Sequence, residues 1–188
     1  MAEGKAVHKA LELRIADGTP LPPQYHKYEP LALGILRTPG RALTESQMTL
    51  TQSLTPTGWF AKDAWCRVMV DVMKINGANA WAGDWKTGKV KLDEHQLELT
   101  AAVIMTQYTE VQTVATSFIW LRDSILDSRT YHRDGLAKLW DRLLVVPAQI
   151  QESAATNNWP ANPSKRHCGY CPVNGLGKCA KAAAPFRG

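Results

Sequence analysis

The chain has 188 residues, room for about one domain, with 45% hydrophobic and 21% charged residues, proportions that allow a buried core and exclude a disordered or collagen-like chain. A formal net charge of +5 is compatible with a polyanionic partner and carries little weight alone. No stretch approaches the ~18–20 apolar residues of a membrane span, and the charged N-terminus lacks the greasy core of an export signal, so the expectation is a cytoplasmic protein with no membrane partner.

In chain order, a first helix is expected over Glu3–Ala16, stopped by Asp17-Gly18-Thr19-Pro20. Five prolines between Pro20 and Pro39 make residues 21–40 read as an extended connection. From Ala42 to Ile75 the sequence is strand-like, with candidates at Thr44–Thr51 and Trp65–Ile75. Asn76-Gly77 is a strong hairpin signal, and its partner strand runs from about Ala78 to Lys86. A helix follows over Asp93–Tyr108, with Asp93 and Gln96 spaced as a capping box and Leu97, Ala101, Ile104 and Met105 forming an apolar stripe. Val111–Leu121 reads as a strand and Arg133–Ala154 as a helix that Pro147 kinks or divides. Together these elements give a mixed α/β domain over 1–160 and a cysteine-containing tail over 161–188 packing on it.

If Asn76 and Gly77 are the central residues of a type I′ turn, Asp71 lies across from Ala82 and Asp84 across from Met69. Strand alternation then puts Asp71, Asp84 and Lys86 on one face, the two carboxylates diagonal neighbours with Cα atoms ~7–8 Å apart. Asp71 lies in an apolar run, where an ionised carboxylate is costly unless paired or bound to a cation. Mg²⁺ suits such oxygens, and Lys86 would add a fixed positive charge for a phosphate or its attacking water. The plainer alternative is a surface hairpin with Asp84 and Lys86 as a solvated pair, and a one-residue slip would separate the carboxylates.

Gly83-Asp84-Trp85-Lys86-Thr87-Gly88 resembles the D-x-K-T-G signature of RecB-type nucleases of the PD-(D/E)XK superfamily, whose relatives include phage and CRISPR-associated exonucleases. Gly4, His8 and Leu11-Glu12 resemble the first-helix motif of that family, Asp71 stands in the place of its acidic residue on the preceding strand, and Gln96-Leu97 is similar to its Gln-Leu element, with Thr100 where a Tyr is usual. The four elements keep the family order over about half the chain. The resemblance implies a restriction-endonuclease-like mixed β-sheet core flanked by helices. It also implies a DNA nuclease, an exonuclease by type, hydrolysing phosphodiesters of linear or single-stranded ends with a Mg- or Mn-activated water. In that reading Asp71, Asp84, His8 and the Trp85 backbone carbonyl hold the metal, Lys86 orients or activates the water and Gln96 holds the scissile phosphate or a metal-bound water. Each has a plainer rival: His8 and Glu12 as an i,i+4 pair, and Gln96 as a capping residue alone.

His167-Cys168-Gly169-Tyr170-Cys171, followed by Cys179, has the bite used by zinc and iron–sulfur sites. Several RecB-type nucleases hold a [4Fe-4S] cluster on C-terminal cysteines, but they place a fourth Cys ahead of the His motif, and none precedes His8 here. His167 could instead complete a Cys₃His zinc site, or the thiols could be free. Cys66 reads as a small buried hydrophobe. Lys165, Arg166, Lys178, Lys181 and Arg187 make the tail basic. The competing function is a non-catalytic nucleic-acid-binding module that keeps the scaffold and uses this tail.

Overall fold

The computed structural model describes residues 2–91 and 93–187; Met1 and Gly188, the outer ends of the expected domain and tail, lie outside them, as does Leu92. The chain divides into two compact units, Met1–Leu143 and Leu144–Gly188, and the division falls inside the stretch Arg133–Ala154 that the sequence suggests as one helix.

The first unit is mixed α/β, with a five-stranded mixed sheet flanked by helices. Helix α1 (Ala2–Ala16) leads through a short 3₁₀ turn into α2 (Glu29–Arg37), and then come β1 (Arg41–Leu50), β2 (Cys66–Asn76) and β3 (Asn79–Lys86). Helix α3 (Glu94–Gln107), strands β4 (Thr113–Trp120) and β5 (Ile125–His132) and helix α4 (Leu136–Leu143) complete it. The sheet order is β1-β2-β3-β4-β5, antiparallel except for β3 and β4, which are parallel and joined by the α3 crossover.

Strand alternation buries apolar side chains on both faces of the sheet. Val7, Leu11 and Ile15, spaced by four along α1, pack with Ala32 and Ile35 of α2 onto Val72, Trp85 and Ile119. On the other face Leu97 of α3 packs with Phe118 and Trp120. Trp85 therefore points away from Asp84, into the α1 core.

Several expectations are corrected. Residues 21–40 are not simply extended: Pro30 occupies the first turn of α2, where a missing N–H breaks no helical bond. Strand β5 stands where no strand was expected. The helix expected over Arg133–Ala154 is divided at Leu144, and Pro147 falls in the first turn of α5 (Val145–Thr156) rather than breaking a helix interior.

The hairpin register also differs. Asn76 pairs with Asn79 and Val72 with Gly83, leaving Gly77 and Ala78 as the loop. Gly77 takes a φ of 56° and Ala78 does not have a positive φ, the combination of a type II′ rather than a type I′ turn. Each partner moves by two residues, so the face of every side chain is preserved. Asp71 is not across from Ala82, nor Asp84 from Met69; the two carboxylates occupy the opposed positions next after Val72 and Gly83, where the ladder ends.

The second unit holds α5 and two one-turn helices, α6 (Lys165–Cys168) and α7 (Pro172–Gly175). Ser164 caps α6 by accepting the His167 N–H at 3.0 Å. Asn174 Nδ2 donates to the carbonyls of Cys168 and Ala184, both at 2.8 Å, which folds the end of the chain back onto the α6–α7 turn.

Candidate active site

Five side chains from four elements meet where β2 and β3 part. Asp71 Oδ2 accepts the Trp85 backbone N–H at 2.7 Å, bridging the strands one step beyond their last ladder pair. His8, one residue along α1 from the buried Val7, comes within 3.6 Å of Asp71 Oδ2 through Nδ1. Asp71 raises the pKa of the half-buried imidazole against the opposing effect of burial. His8 does not pair with Glu12; Lys9 does, at 2.7 Å.

The N-terminus of α1 lies close to the loop after Lys86. A Cβ on Gly4 would stand 3.0 Å from Thr87 Oγ1, so the small residue lets the helix that carries His8 approach the loop that follows β3.

On the other side of the junction, Lys86 Nζ contacts Asp84 Oδ2 at 2.8 Å and donates to Gln96 Oε1 at 3.0 Å. Gln96 Nε2 in turn donates to Asp84 Oδ1 at 2.6 Å. The three side chains close a ring of contacts in which both carboxylate oxygens and both ends of the amide are used. Lys86 Nζ also sits 4.8 Å from the centre of the Phe118 ring, whose face favours a cation there. Burial pushes the Asp84 carboxyl above its ordinary pKa, and Lys86 opposes the shift.

The capping-box expectation is corrected: Asp93 is the N-cap residue of α3 but makes no side-chain cap bond, and the Gln96 side chain reaches the site. Asp84 and Lys86 do pair, yet they are about three-quarters buried rather than freely solvated.

Sequence reasoning missed Glu45. It lies on β1 between Thr44 and Ser46, which pair with Val72 and Val70, so it occupies the position opposite Asp71. Its φ is 45°, a left-handed conformation that is costly for a non-glycine residue within a strand. Burial, then the charge of Asp71, pushes its carboxyl pKa up. Its neighbours Thr44 and Ser46 look like an ordinary polar edge strand, and nothing local marks the position.

Among the described residues, no three His, Cys, Asp or Glu side chains stand close enough to hold an ion as they are placed. The chemistry of the donor set at the β2–β3 junction, two carboxylates and an imidazole, suits a hard or borderline divalent cation such as Mg²⁺ or Mn²⁺. In the tail, Cys168, Cys171 and Cys179 are free thiols. Cys168 is buried and its Sγ accepts the Ala183 N–H at 3.3 Å. Those thiols and His167 are not drawn together as a ligand set. Cys66, expected to be buried, is half-buried at the start of β2.

No protein family and no curated protein matches the chain. It is similar to the crystal structure of SSO0001, with 12% identity and a TM-score of 0.36 over 96% of either chain. No described helix is long and apolar enough to cross a membrane.

Proposed function

We propose that the protein is a divalent-metal-dependent DNA nuclease of the RecB type. The observation that carries this reading is the meeting of His8, Asp71, Asp84, Lys86 and Gln96, distant in sequence, at one strand junction. These are the positions picked out by the resemblance to the D-x-K-T-G nucleases.

Asp71, Asp84 and His8 would hold Mg²⁺ or Mn²⁺, with the Trp85 carbonyl as the backbone ligand implied by the resemblance. When bound, such an ion supplies Lewis-acid polarisation to a phosphodiester. Asp71 holds its orientation through the Trp85 N–H, which its Oδ2 accepts. The Lys86 ammonium, seated against Phe118 and Asp84, offers positive charge to the negative charge that builds on the phosphate during hydrolysis. The Gln96 amide fixes Lys86 and Asp84 relative to each other, a positioning role that also leaves its N–H groups near the same place.

The test is degradation of end-labelled linear DNA in Mg²⁺ and in Mn²⁺. Wild-type protein should shorten the label, chelation should stop it, and Lys86→Ala and Asp84→Ala should each slow it on the order of a hundredfold or more. Intact DNA in both metals would refute catalysis and leave the binding-module reading.

A further inference from the structure

Phe60 is 90% exposed, more than any other large apolar side chain among the described residues. It lies in the connection between β1 and β2, residues 51–65, and that connection is tied down. Thr51 N–H donates to Thr55 O at 2.8 Å, Thr57 N–H to Thr49 O at 3.0 Å and Trp65 N–H to Leu50 O at 2.9 Å. Thr57 Oγ1 donates to Asp63 Oδ1 at 3.0 Å, and Arg67 Nε donates to Trp59 O at 2.7 Å. The Arg67 guanidinium also lies 6.0 Å from the Trp59 ring. A phenylalanine beside so many internal bonds could fold inward; here it stands in water, on a loop whose shape is already set.

Strand direction places this loop. Antiparallel pairing brings the start of β2 to the sheet end where β3 finishes at Lys86. Along β2, Arg67, Met69 and Asp71 alternate onto one face, so they form a line from the loop to the site about 13 Å long. Arg67 is exposed, and Met69 is 50% exposed and lines the same small cavity as Asp84 and Gln96. Exposed Lys62 on the loop, with Lys89 and Lys91 after β3, supplies cations for phosphates at this end of the sheet, alongside exposed Asp63, Asp93 and Glu94.

We infer that the β1–β2 loop docks single-stranded DNA, with Phe60 stacking on an unpaired base and Arg67 and Met69 leading the strand to the Asp71–Asp84 junction. An exposed aromatic ring beside cationic side chains is the chemistry that holds unpaired bases, because every base offers a π face and every linkage a charge. The inference rests on the nuclease reading and adds to it a docking element, the β1–β2 loop, through which ends with unpaired nucleotides are taken in preference to blunt duplex.

Because Phe60 is so exposed, replacing it should leave the fold intact, which circular dichroism and melting can verify. Binding is measured in the full chain without divalent metal, by anisotropy of a fluorescent single-stranded oligonucleotide and by quenching of 2-aminopurine within it. Phe60→Ala should weaken binding about tenfold and abolish the quenching, Phe60→Trp should retain both, and blunt duplex should respond to neither change. Unchanged affinity and quenching in Phe60→Ala would overturn the proposal, as would an equal loss for blunt duplex or binding of Phe60 to lipid vesicles but not to DNA. The two readings separate cleanly. Phe60-dependent binding by a wild-type protein that cuts no DNA would sink the nuclease alone, and DNA cutting with Phe60-independent binding would sink the docking loop alone.

Discussion

The Asp71 carboxylate is joined to the backbone of Trp85: its Oδ2 accepts that N–H at 2.7 Å across the point where β2 and β3 separate. One oxygen is thus a structural acceptor, and the side chain has two functions that mutation can divide. Asp71→Asn keeps a carbonyl oxygen able to accept the bond, whereas Asp71→Ala leaves the N–H without this partner. Chemical denaturation should find Asp71→Ala less stable than Asp71→Asn by about 1–3 kcal/mol, the penalty for an unmet buried polar group. Under the proposed nuclease function, both should lose DNA cleavage. Equal stability of the two variants would show that the bridge does not hold the strands.

Asp84 and Lys86 form the second relationship, at 2.8 Å and mostly out of water. Removing one partner strands the other's charge, so Lys86→Met and Asp84→Asn should each destabilise the protein, while the double variant should lose less than the sum. A double-mutant cycle on urea midpoints should return a coupling of about 1–2 kcal/mol. Additive losses would mean that the pair does not stabilise the fold as a pair.

The site was more legible in the sequence than the path to it. The face shared by Asp71, Asp84 and Lys86 follows from strand alternation, and it survived an incorrect turn because Gly77 and Ala78 displace Asn76 and Gly77 by one position and each cross-strand partner by two. A one-residue change in pairing would have reversed every side chain. Local rules failed where tertiary contacts outbid them. Gln96 has capping-box spacing, yet the Asp84 carboxylate and the Lys86 ammonium offer its amide stronger partners. Pro30 reads as a breaker until its place in a first helical turn is known. Strand β5 lies at the sheet edge with alternate residues exposed, so its mixture of Asp, Ser, Arg and Tyr gives no apolar run to notice.

Arg14 and Glu29 tie α1 to α2, with Arg14 Nε donating to Oε1 at 2.9 Å and Oε2 at 3.0 Å. The Arg14 hydrogen bonds hold the Glu29 carboxyl below its ordinary pKa of 4.5. A carboxyl lowered in the folded state stabilises above its unfolded pKa, and that contribution disappears as pH falls through the folded value. Thermal melts should therefore show wild type above Glu29→Gln at neutral pH, with the gap closing in acid. A gap independent of pH would assign the difference to packing instead.

Glu45 combines two costs at one position: a φ of 45° within a strand and a carboxyl that burial and Asp71 push toward protonation. Glu45→Gln removes the charge but keeps the backbone penalty, whereas Glu45→Gly removes both, because glycine adopts a left-handed φ without a Cβ clash. Relief of the backbone conformation is of order 1–2 kcal/mol, partly offset by the ~0.5–1 kcal/mol that glycine costs in strand entropy. The order of melting temperatures should then be Glu45→Gly above Glu45→Gln, and Glu45→Gln at or above wild type. Such a ranking would mean that a residue costly to the fold is kept opposite Asp71 for what it does at the site. If wild type is the most stable of the three, Glu45 belongs to the scaffold, and its strained backbone is offset by contacts its side chain makes there.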